Sequence, residues 1–269
     1  HFIPQSLSLD SLDVVEYDLD LVRSAERYSP KLANRVVRIA PQVVLFRRAD
    51  SAEVVVGFDE SKRQPFDSAG VHAALALASS DTASTVLRLE GARGTFRGRI
   101  AQGSHLVSLE IVDPRSRRAA WFRTGVRVPP RGGVQVSDIL LFEAGEIEVR
   151  GLEEAVSSAL PGTRVSRGKT GLYWEIYGLA AADSALPVSL TLAPVGQSAW
   201  RRIGEAIGLA PRTSPLHIAW RDTPSLGGVS SRSMVLDMSL VPRGRYVLRV
   251  EVSPTGRPSA TSSRMIEIQ

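Results

Sequence analysis

Every second position from Tyr246 to Val252 is apolar, and Arg249 and Glu251 lie at positions between them. Because successive side chains of a β-strand point to opposite faces, this period of two predicts a strand that buries one face. The segment 234–240 shows the same alternation, and Pro242 and Gly244 lie between the two segments. Proline presets φ and glycine tolerates a positive φ, so this connection is predicted to reverse the chain.

The spacing of Leu240, Pro242, Gly244 and Tyr246 resembles a known connection between strands. It is similar to the E-to-F corner of immunoglobulin-like and fibronectin type III sandwiches, in which a tyrosine hydroxyl bonds back to nearby backbone. The resemblance assigns that bond to Tyr246. The alternative interpretation is an ordinary hairpin with a tyrosine at its rim.

Short β-rich segments separated by turn residues fill the chain from residue 34 onward. This pattern predicts an all-β fold with two tandem immunoglobulin-like or fibronectin type III-like β-sandwiches. Residues 1–33 are predicted to form an extended acidic N-terminal arm and residues 34–130 the first sandwich. Residues 131–162 are predicted to be a linker with a short strand and helix, and residues 163–269 the second sandwich.

Two segments have a helical period instead of a strand period. In the segment 197–209, Trp200, Ile203 and Ile207 share one helical face, so we predict a helical insert that packs on the sheet. The segment 151–162 predicts a short helix that ends before a Pro-Gly pair.

An internal similarity supports the two-sandwich organisation. The segment Gly103–Val112 aligns with Gly244–Ser253 at an offset of 141 residues, which is the length of a domain rather than of a solenoid repeat. His105 takes the position of Tyr246 in this alignment. We therefore predict that His105 is also a corner residue.

The composition indicates a protein with a large core and few chemical groups. The chain has 269 residues, of which 43% are hydrophobic, and it contains no cysteine. A core of that size needs no disulfide or metal support, and thiol nucleophiles and thiolate metal sites are excluded. No apolar segment approaches the roughly 20 residues that a membrane-spanning helix requires.

Opposite charges are concentrated in two parts of the chain. The formal net charge is +5, yet residues 1–30 carry six acidic and two basic residues. Residues 91–131 carry nine arginines and two acidic residues. Arginine and tryptophan often dominate the energetics of interfaces, so we predict partner contacts in the arginine–tryptophan run 115–123 and in the acidic arm. The predicted partner-binding residues are Arg115, Arg117, Arg118, Trp121 and Arg123 in the run, with Asp10, Asp13, Asp18 and Asp20 in the arm. The alternative for the run is a hairpin with Trp121 in the core and solvated arginines.

The sequence lacks recognisable signatures of catalysis or of cofactor binding. The four histidines have no metal-ligand spacing, and no nucleophile elbow, Walker loop or dinucleotide fingerprint is present. The glycine-rich segment 91–98 joins two strand-like segments, so we predict a hairpin rather than a phosphate-binding loop. We predict no catalytic residue, no metal, no cofactor and no small-molecule substrate. Aromatic residues make up only 6% of the chain, which disfavours nucleic acid as a partner.

Three segments resemble a known group of bacterial proteins. The sequences VSDILLF, LYWEIYGL and MVLDMSLVPRGRYVLRVEV are similar to the β-rich region of proteins that carry a GWxTD domain, although the Gly-Trp-x-Thr-Asp motif itself does not occur here. That resemblance implies an exported protein. The arginine-rich, cysteine-free composition also resembles proteins of photosynthetic bacteria of the Gemmatimonas type. It implies an accessory subunit on the periplasmic face of a reaction-centre and light-harvesting complex.

These observations lead to one expected function and one alternative. We expect a non-enzymatic structural or adaptor subunit, periplasmic or otherwise extracytoplasmic and peripheral to the membrane. Its partners would be the protein subunits of a larger complex, with the membrane surface as a further contact. The alternative is a glycan-binding sandwich of an exported protein, which would present Trp174, Trp200 or Trp220 as aromatic platforms.

Overall fold

A computed structural model describes most of the chain from residue 35 onward. The described residues are 35–61, 70–79, 85–113, 115–116, 118–145, 149–180, 183, 185–195, 215–224 and 228–269. They form β-strands and, within these ranges, one short helix, so the predicted all-β sandwich class is confirmed. The chain divides into two compact units. The N-terminal unit comprises the described residues of 35–131 together with 156–162, and the C-terminal unit comprises those of 132–155 and 163–269.

The N-terminal unit is a sandwich of two β-sheets. Its strands are β1 (Arg35–Arg38), β2 (Gln42–Arg48), β3 (Ser51–Asp59), β4 (His72–Ser79), β5 (Thr85–Glu90), β6 (Arg93–Ala101), β7 (Gly103–Asp113) and β8 (Arg118–Val128). One sheet has the order β1-β8-β7-β4-β5 and the other the order β2-β3-β6. β1 pairs with β8 in parallel, and the other pairs are antiparallel.

Alternating side chains from both sheets form the core of this unit. Leu75 and Leu77 on β4 and Leu109 on β7 are buried against Val54 and Val56 on β3. Each fully buried aliphatic side chain of this kind contributes about 1.5–3 kcal/mol relative to an exposed one. The alternation along the sequence therefore predicted which face of each strand is buried.

The β-rich segment 35–48 forms two strands and not one. β1 belongs to the five-stranded sheet and β2 to the three-stranded sheet. Pro41 lies between them and has no backbone N–H for a continuous ladder. The chain therefore passes from one sheet to the other at this proline.

The C-terminal unit is a second sandwich. Its strands are β9 (Gln135–Val136), β10 (Leu140–Glu143), β11 (Arg164–Val165), β12 (Lys169–Tyr177), β13 (Leu186–Pro194), β14 (Leu216–Asp222), β15 (Val229–Asp237), β16 (Gly244–Val252) and β17 (Ala260–Ile268), and the helix α1 (Leu152–Ser157) lies between β10 and β11 along the chain. The sheets have the orders β11-β17-β16-β13-β14 and β10-β12-β15, and β9 also pairs with β12.

The segment 131–162, predicted as a linker, contributes strands to this sandwich. β10 pairs with β12 from Leu140 to Glu143, and β9 pairs with the far end of β12. The predicted short helix in 151–162 corresponds to α1. The predicted helical insert 197–209 lies outside the described residues.

The sheets of the two sandwiches have the same spatial order of strands, but two edge strands are exchanged along the chain, since β1 precedes β2 whereas β11 follows β10. The path β1-β8-β7-β4-β5 corresponds to β11-β17-β16-β13-β14, and the path β2-β3-β6 corresponds to β10-β12-β15. The first strand of each five-stranded sheet runs parallel to the last strand of its unit. β7 and β16 occupy equivalent positions, as the internal sequence similarity predicts.

Tyr246 forms the predicted corner bond. β15 and β16 lie in different sheets, which excludes the hairpin alternative. The Tyr246 hydroxyl donates a hydrogen bond to the Pro242 carbonyl oxygen at 2.8 Å, and Gly244 has a φ of 151°. The prediction was wrong for Leu240, which ends the alternating pattern but is 91% exposed. It lies in the turn after β15, where strand alternation no longer applies.

His105 forms the equivalent bond in the N-terminal unit. Its Nε2 lies 2.8 Å from the Ala101 carbonyl oxygen, four residues earlier, as Pro242 precedes Tyr246. A carbonyl oxygen only accepts, so Nε2 must carry the hydrogen. Gly103 has a φ of 120° and stands where Gly244 stands in the second corner. The predicted corner role of His105 is confirmed.

The hairpin predicted for the glycine-rich segment 91–98 is wrong. β5 pairs with β4, and β6 pairs with β3 in the other sheet. Gly91, at a φ of 105°, lies where the chain leaves β5. The turn therefore connects two sheets and not two paired strands.

Candidate interaction surface

The arginine–tryptophan run 115–123 begins in the turn of a hairpin. β7 and β8 pair antiparallel, with Asp113 opposite Arg118. The buried Asp113 carboxylate accepts hydrogen bonds from the backbone N–H groups of Arg115 at 3.0 Å and Ser116 at 3.2 Å, and from the Ser116 hydroxyl. Aspartate commonly stabilises turns in this way. Arg115 is thus held at an exposed turn, and Arg117 lies outside the described residues.

Trp121 lies on the outer face of the five-stranded sheet. Ala120, its neighbour along β8, belongs to the core, so Trp121 points to the opposite face. The Arg38 guanidinium on β1 lies 5.1 Å from the centroid of the Trp121 ring, and Trp121 is only 9% exposed. A cation–π contact of this kind contributes about 0.5–1 kcal/mol at an exposed site. Arg118 is three positions from Trp121 on β8 and therefore points to the opposite face of the sheet, so the structure does not bring the two side chains together.

Arg123 shares the outer face with Trp121 and is held by two partners on β7. Its Nε donates to the Ser108 hydroxyl oxygen at 2.9 Å, and its Nη2 lies 3.5 Å from Glu110 Oε1. Its side chain is 17% exposed. The solvated-arginine alternative therefore does not describe Arg123, whose guanidinium is positioned by the sheet.

Cross-strand neighbours extend this surface across the sheet. Arg38 is opposite Trp121, and Trp121 is opposite Glu110. Glu110 is opposite Ala74, and Ala74 is opposite Arg88 on β5. We define the outer patch as Arg38, Ala74, Glu110, Trp121 and Arg123. Ala74, between Glu110 and Arg88, has the smallest side chain of this row.

The outer patch has the chemistry of a contact surface. Its accessible groups are the exposed Arg38 guanidinium and the partly exposed Glu110 carboxylate, while the Trp121 ring and the Arg123 guanidinium are largely covered. Guanidinium groups pair with carboxylates in planar, bidentate geometry, and Trp and Arg are enriched among residues that dominate interface energetics. The patch contains no nucleophile with a neighbouring base, so it suits recognition better than acid–base chemistry.

The acidic residues predicted to bind partners are not described. Asp10, Asp13, Asp18 and Asp20 lie outside the described residues. Their role in binding stays a prediction.

Other ionisable groups are dispersed over the described part of the chain. No group of three or more His, Asp or Glu side chains is placed to hold a metal ion there. His217 lies on β14, where its Nδ1 is 3.0 Å from Thr191 Oγ1, and His72 lies on β4. Within the described ranges, no helix has the length and apolar character to cross a membrane.

Sequence reasoning missed Arg38 and Glu110 as members of the surface. Arg38 reaches Trp121 through a parallel pairing between residues more than 80 positions apart. Parallel pairing to a distant strand leaves no local pattern. Glu110 lies on β7, the strand that forms a hairpin with the strand of Trp121. The alternation along β7 and β8 could have placed both residues on the outer face.

Neither a protein-family model nor a curated protein matches this sequence. Solved structures that match include the FN1–FN3 domains of chicken CNTN1, at 9% identity and a TM-score of 0.28, covering 87% of this chain and 68% of that chain. A tetra-tandem repeat from the extending region of a large adhesion protein matches at 10% identity and a TM-score of 0.27, covering 86% of this chain and 49% of that one. Latent PorU from Porphyromonas gingivalis matches at 14% identity and a TM-score of 0.33, covering 86% of this chain and 20% of that one. At these values the fold assignment rests on the strand topology itself.

Proposed function

We propose that this protein is a non-enzymatic adaptor or structural subunit that binds a protein partner through the outer patch. The observation that supports this proposal is the row Arg38–Trp121–Glu110, which places a cation, an aromatic ring and an anion in register on one sheet face. Sandwich modules present such faces without any catalytic group.

The location and the larger assembly belong to the same proposal. The sequence resemblances imply an exported protein that attaches to a membrane-associated complex. A reaction-centre and light-harvesting complex is the first assembly to test, since its pigments report its presence by absorbance.

The test compares one substitution in the patch with a matched control. Arg38→Glu reverses the charge beside Trp121. Arg221→Glu makes the same change on the exposed outer face of β14 in the C-terminal unit. Each tagged protein is purified from its native membranes in mild detergent, and the co-purifying subunits are quantified by mass spectrometry.

We expect the unmodified chain and Arg221→Glu to recover the same subunits in the same amounts. Arg38→Glu should recover at least about tenfold less of these subunits, because charge reversal at a contact leaves a partner charge unpaired. Far-UV circular dichroism checks that each variant keeps its β-structure. Equal recovery with all three chains, or no subunit with the unmodified chain, would contradict the proposal.

Glycan binding is the alternative, and the described tryptophans do not favour it. Trp174 is 1% exposed and packs edge-on against Trp220, with ring centroids 6.4 Å apart. Trp174 is therefore a core residue and not a platform, while Trp200 lies outside the described residues. A glycan array distinguishes the two functions, because an adaptor should bind none of the glycans on it.

A further inference from the structure

β5 is an uncovered edge strand in the described part of the N-terminal unit. It ends the order β1-β8-β7-β4-β5 and pairs only with β4. Five of its six residues are exposed, including Val86 at 42% and Leu89 at 36%. An edge strand presents unpaired backbone groups to any strand that reaches it. The sequence of β5, TVLRLE, lacks the lysine and proline residues that commonly protect such edges.

The two faces of β5 differ in chemistry. Leu87 and Leu89 point to the inner side, because they are opposite Leu75 and Ala73, which lie in the core. Arg88 and Glu90 point to the outer side together with Val86. Among the described residues, neither the Arg88 guanidinium nor the Glu90 carboxylate has a hydrogen-bond or ion-pair partner.

The corresponding edge strand of the C-terminal unit differs in this respect. On β14, Asp222 accepts an ion pair from Arg232, and Trp220 packs against Trp174. His217 is hydrogen-bonded to Thr191. Apart from the exposed Arg221, the charged and aromatic side chains of β14 therefore have partners within their own unit.

We propose that β5 pairs antiparallel with β5 of a second copy of this chain, with Leu89 on the two-fold axis. This register pairs residues 88–90 of the two copies, since the chain leaves β5 at Gly91, and it places Arg88 of each copy directly opposite Glu90 of the other on the outer face. Leu89 then meets its own counterpart on the inner face, which covers the exposed edge of the core. A register centred on Arg88 places two guanidinium groups opposite each other, which is unfavourable. A register centred on Leu87 places Arg88 opposite Val86 and so leaves Arg88 without a cross-strand charge partner. Charge complementarity thus favours the register centred on Leu89, independently of the proposed function of the outer patch.

The association is expected to be weak, because a single strand pair buries less than the roughly 1,200 Å² of a standard stable interface. Analytical ultracentrifugation of the full chain up to roughly millimolar concentration should therefore show a reversible monomer–dimer equilibrium. A chain that stays monomeric over this range overturns the proposal.

Charge exchange tests the register. Arg88→Glu and Glu90→Arg should each weaken the dimer at least about tenfold, because each replaces two attractive cross-strand pairs by repulsive ones. The double variant Arg88→Glu with Glu90→Arg should restore it, since the pairs are then complementary in the opposite sense. Arg221→Glu on β14 serves as the control and should leave the dimer unchanged. Single variants without effect, or a double variant that stays as weak as the singles, exclude this pairing.

Cross-linking tests the position of the axis, because the chain contains no cysteine. Residues directly opposite in antiparallel strands have Cβ atoms about 5 Å apart, close to the separation that a disulfide spans. Leu89→Cys should form a disulfide-linked dimer under mild oxidation, visible on a non-reducing gel. Val86→Cys is exposed on the same strand but lies off the axis, so it should cross-link far less. Equal cross-linking of the two variants would place the axis elsewhere.

Discussion

Tyr246 and His105 form the same corner hydrogen bond with different side chains. Each is nearly buried, at 4% and 7% exposure, and each bonds to the carbonyl oxygen four residues earlier. A phenol and an imidazole both offer a polar donor at the end of a flat ring, so either can satisfy a carbonyl at a sheet-to-sheet corner. The corner therefore requires a hydrogen-bond donor that reaches the carbonyl oxygen four residues earlier.

Removal of this donor should destabilise the C-terminal sandwich. Tyr246→Phe leaves the ring in place but leaves the Pro242 carbonyl without its bond, which should lower the free energy of unfolding by about 1 kcal/mol. Urea unfolding followed by circular dichroism measures the change. Thr191→Val removes an exposed hydroxyl that bonds to His217, and should change stability by less than about 0.5 kcal/mol. Identical unfolding midpoints for Tyr246→Phe and the unmodified chain would show that the corner bond contributes nothing.

Two connections at one end of the C-terminal sandwich are joined by an ion pair. Arg257, between β16 and β17, donates from Nη2 to Asp183 Oδ2, and from Nη1 to the Gly178 carbonyl oxygen at 3.0 Å. Asp183 also accepts the Ala180 N–H at 2.7 Å. The hydrogen bond from Arg257, and then the one from Ala180, lower the pKa of Asp183 below its ordinary value, while burial opposes this. The ion pair therefore favours the charged carboxylate in the folded state.

This ion pair makes a pH-dependent contribution to stability. Because the pKa of Asp183 is lowered in the folded state, the contribution is present above the ordinary aspartate pKa of about 3.9 and is lost as the pH falls through the lowered value. Asp183→Asn should therefore unfold at lower denaturant concentration than the unmodified chain at neutral pH, with a difference that narrows below about pH 4. Asp50→Asn breaks an exposed ion pair with Arg131 and should have little effect. A difference that is constant with pH would exclude the ion pair as its cause.

At the scale of strands, the alternation of apolar and polar residues predicted buried positions but did not predict which strands pair. The alternating apolar residues Tyr246, Leu248, Val250 and Val252 of β16 are buried, as period two requires. Which strands pair was not predictable in this way, because hydrogen-bond partners are chosen by contacts between distant residues. The segment 35–48 illustrates this: both of its strands have the expected pattern, yet they belong to different sheets. The same limit explains why 91–98 was predicted as a hairpin.

At the scale of the whole molecule, one fold pattern is used twice with different exposed faces. The two units share the spatial order of their strands and their corner bond, while the outer patch and the open β5 edge belong to the N-terminal unit. β14, which corresponds to β5, therefore provides the control residue Arg221 for the two proposed contacts.

Deletion of residues 1–30 tests the predicted role of the acidic arm. The arm carries six acidic residues, and opposite charges speed and orient association with a basic partner surface. We expect the truncated chain to lose its co-purifying subunits and to keep its β-sheet circular dichroism. If the truncated chain still recovers the subunits while Arg38→Glu does not, binding belongs to the sandwich alone.

The sequence by itself determined the class of this protein, its two repeated sandwiches and the corner residues Tyr246 and His105. These follow from local physics: alternation sets strand faces, and glycine with proline sets the turns. Only the tertiary structure decided which side chains share a surface. Arg38 reaches Trp121 because β1 pairs in parallel with β8, and β5 is an edge because no described strand follows it in its sheet. Both depend on the order of strands in space, which is set by the packing of the whole core and not by any segment alone.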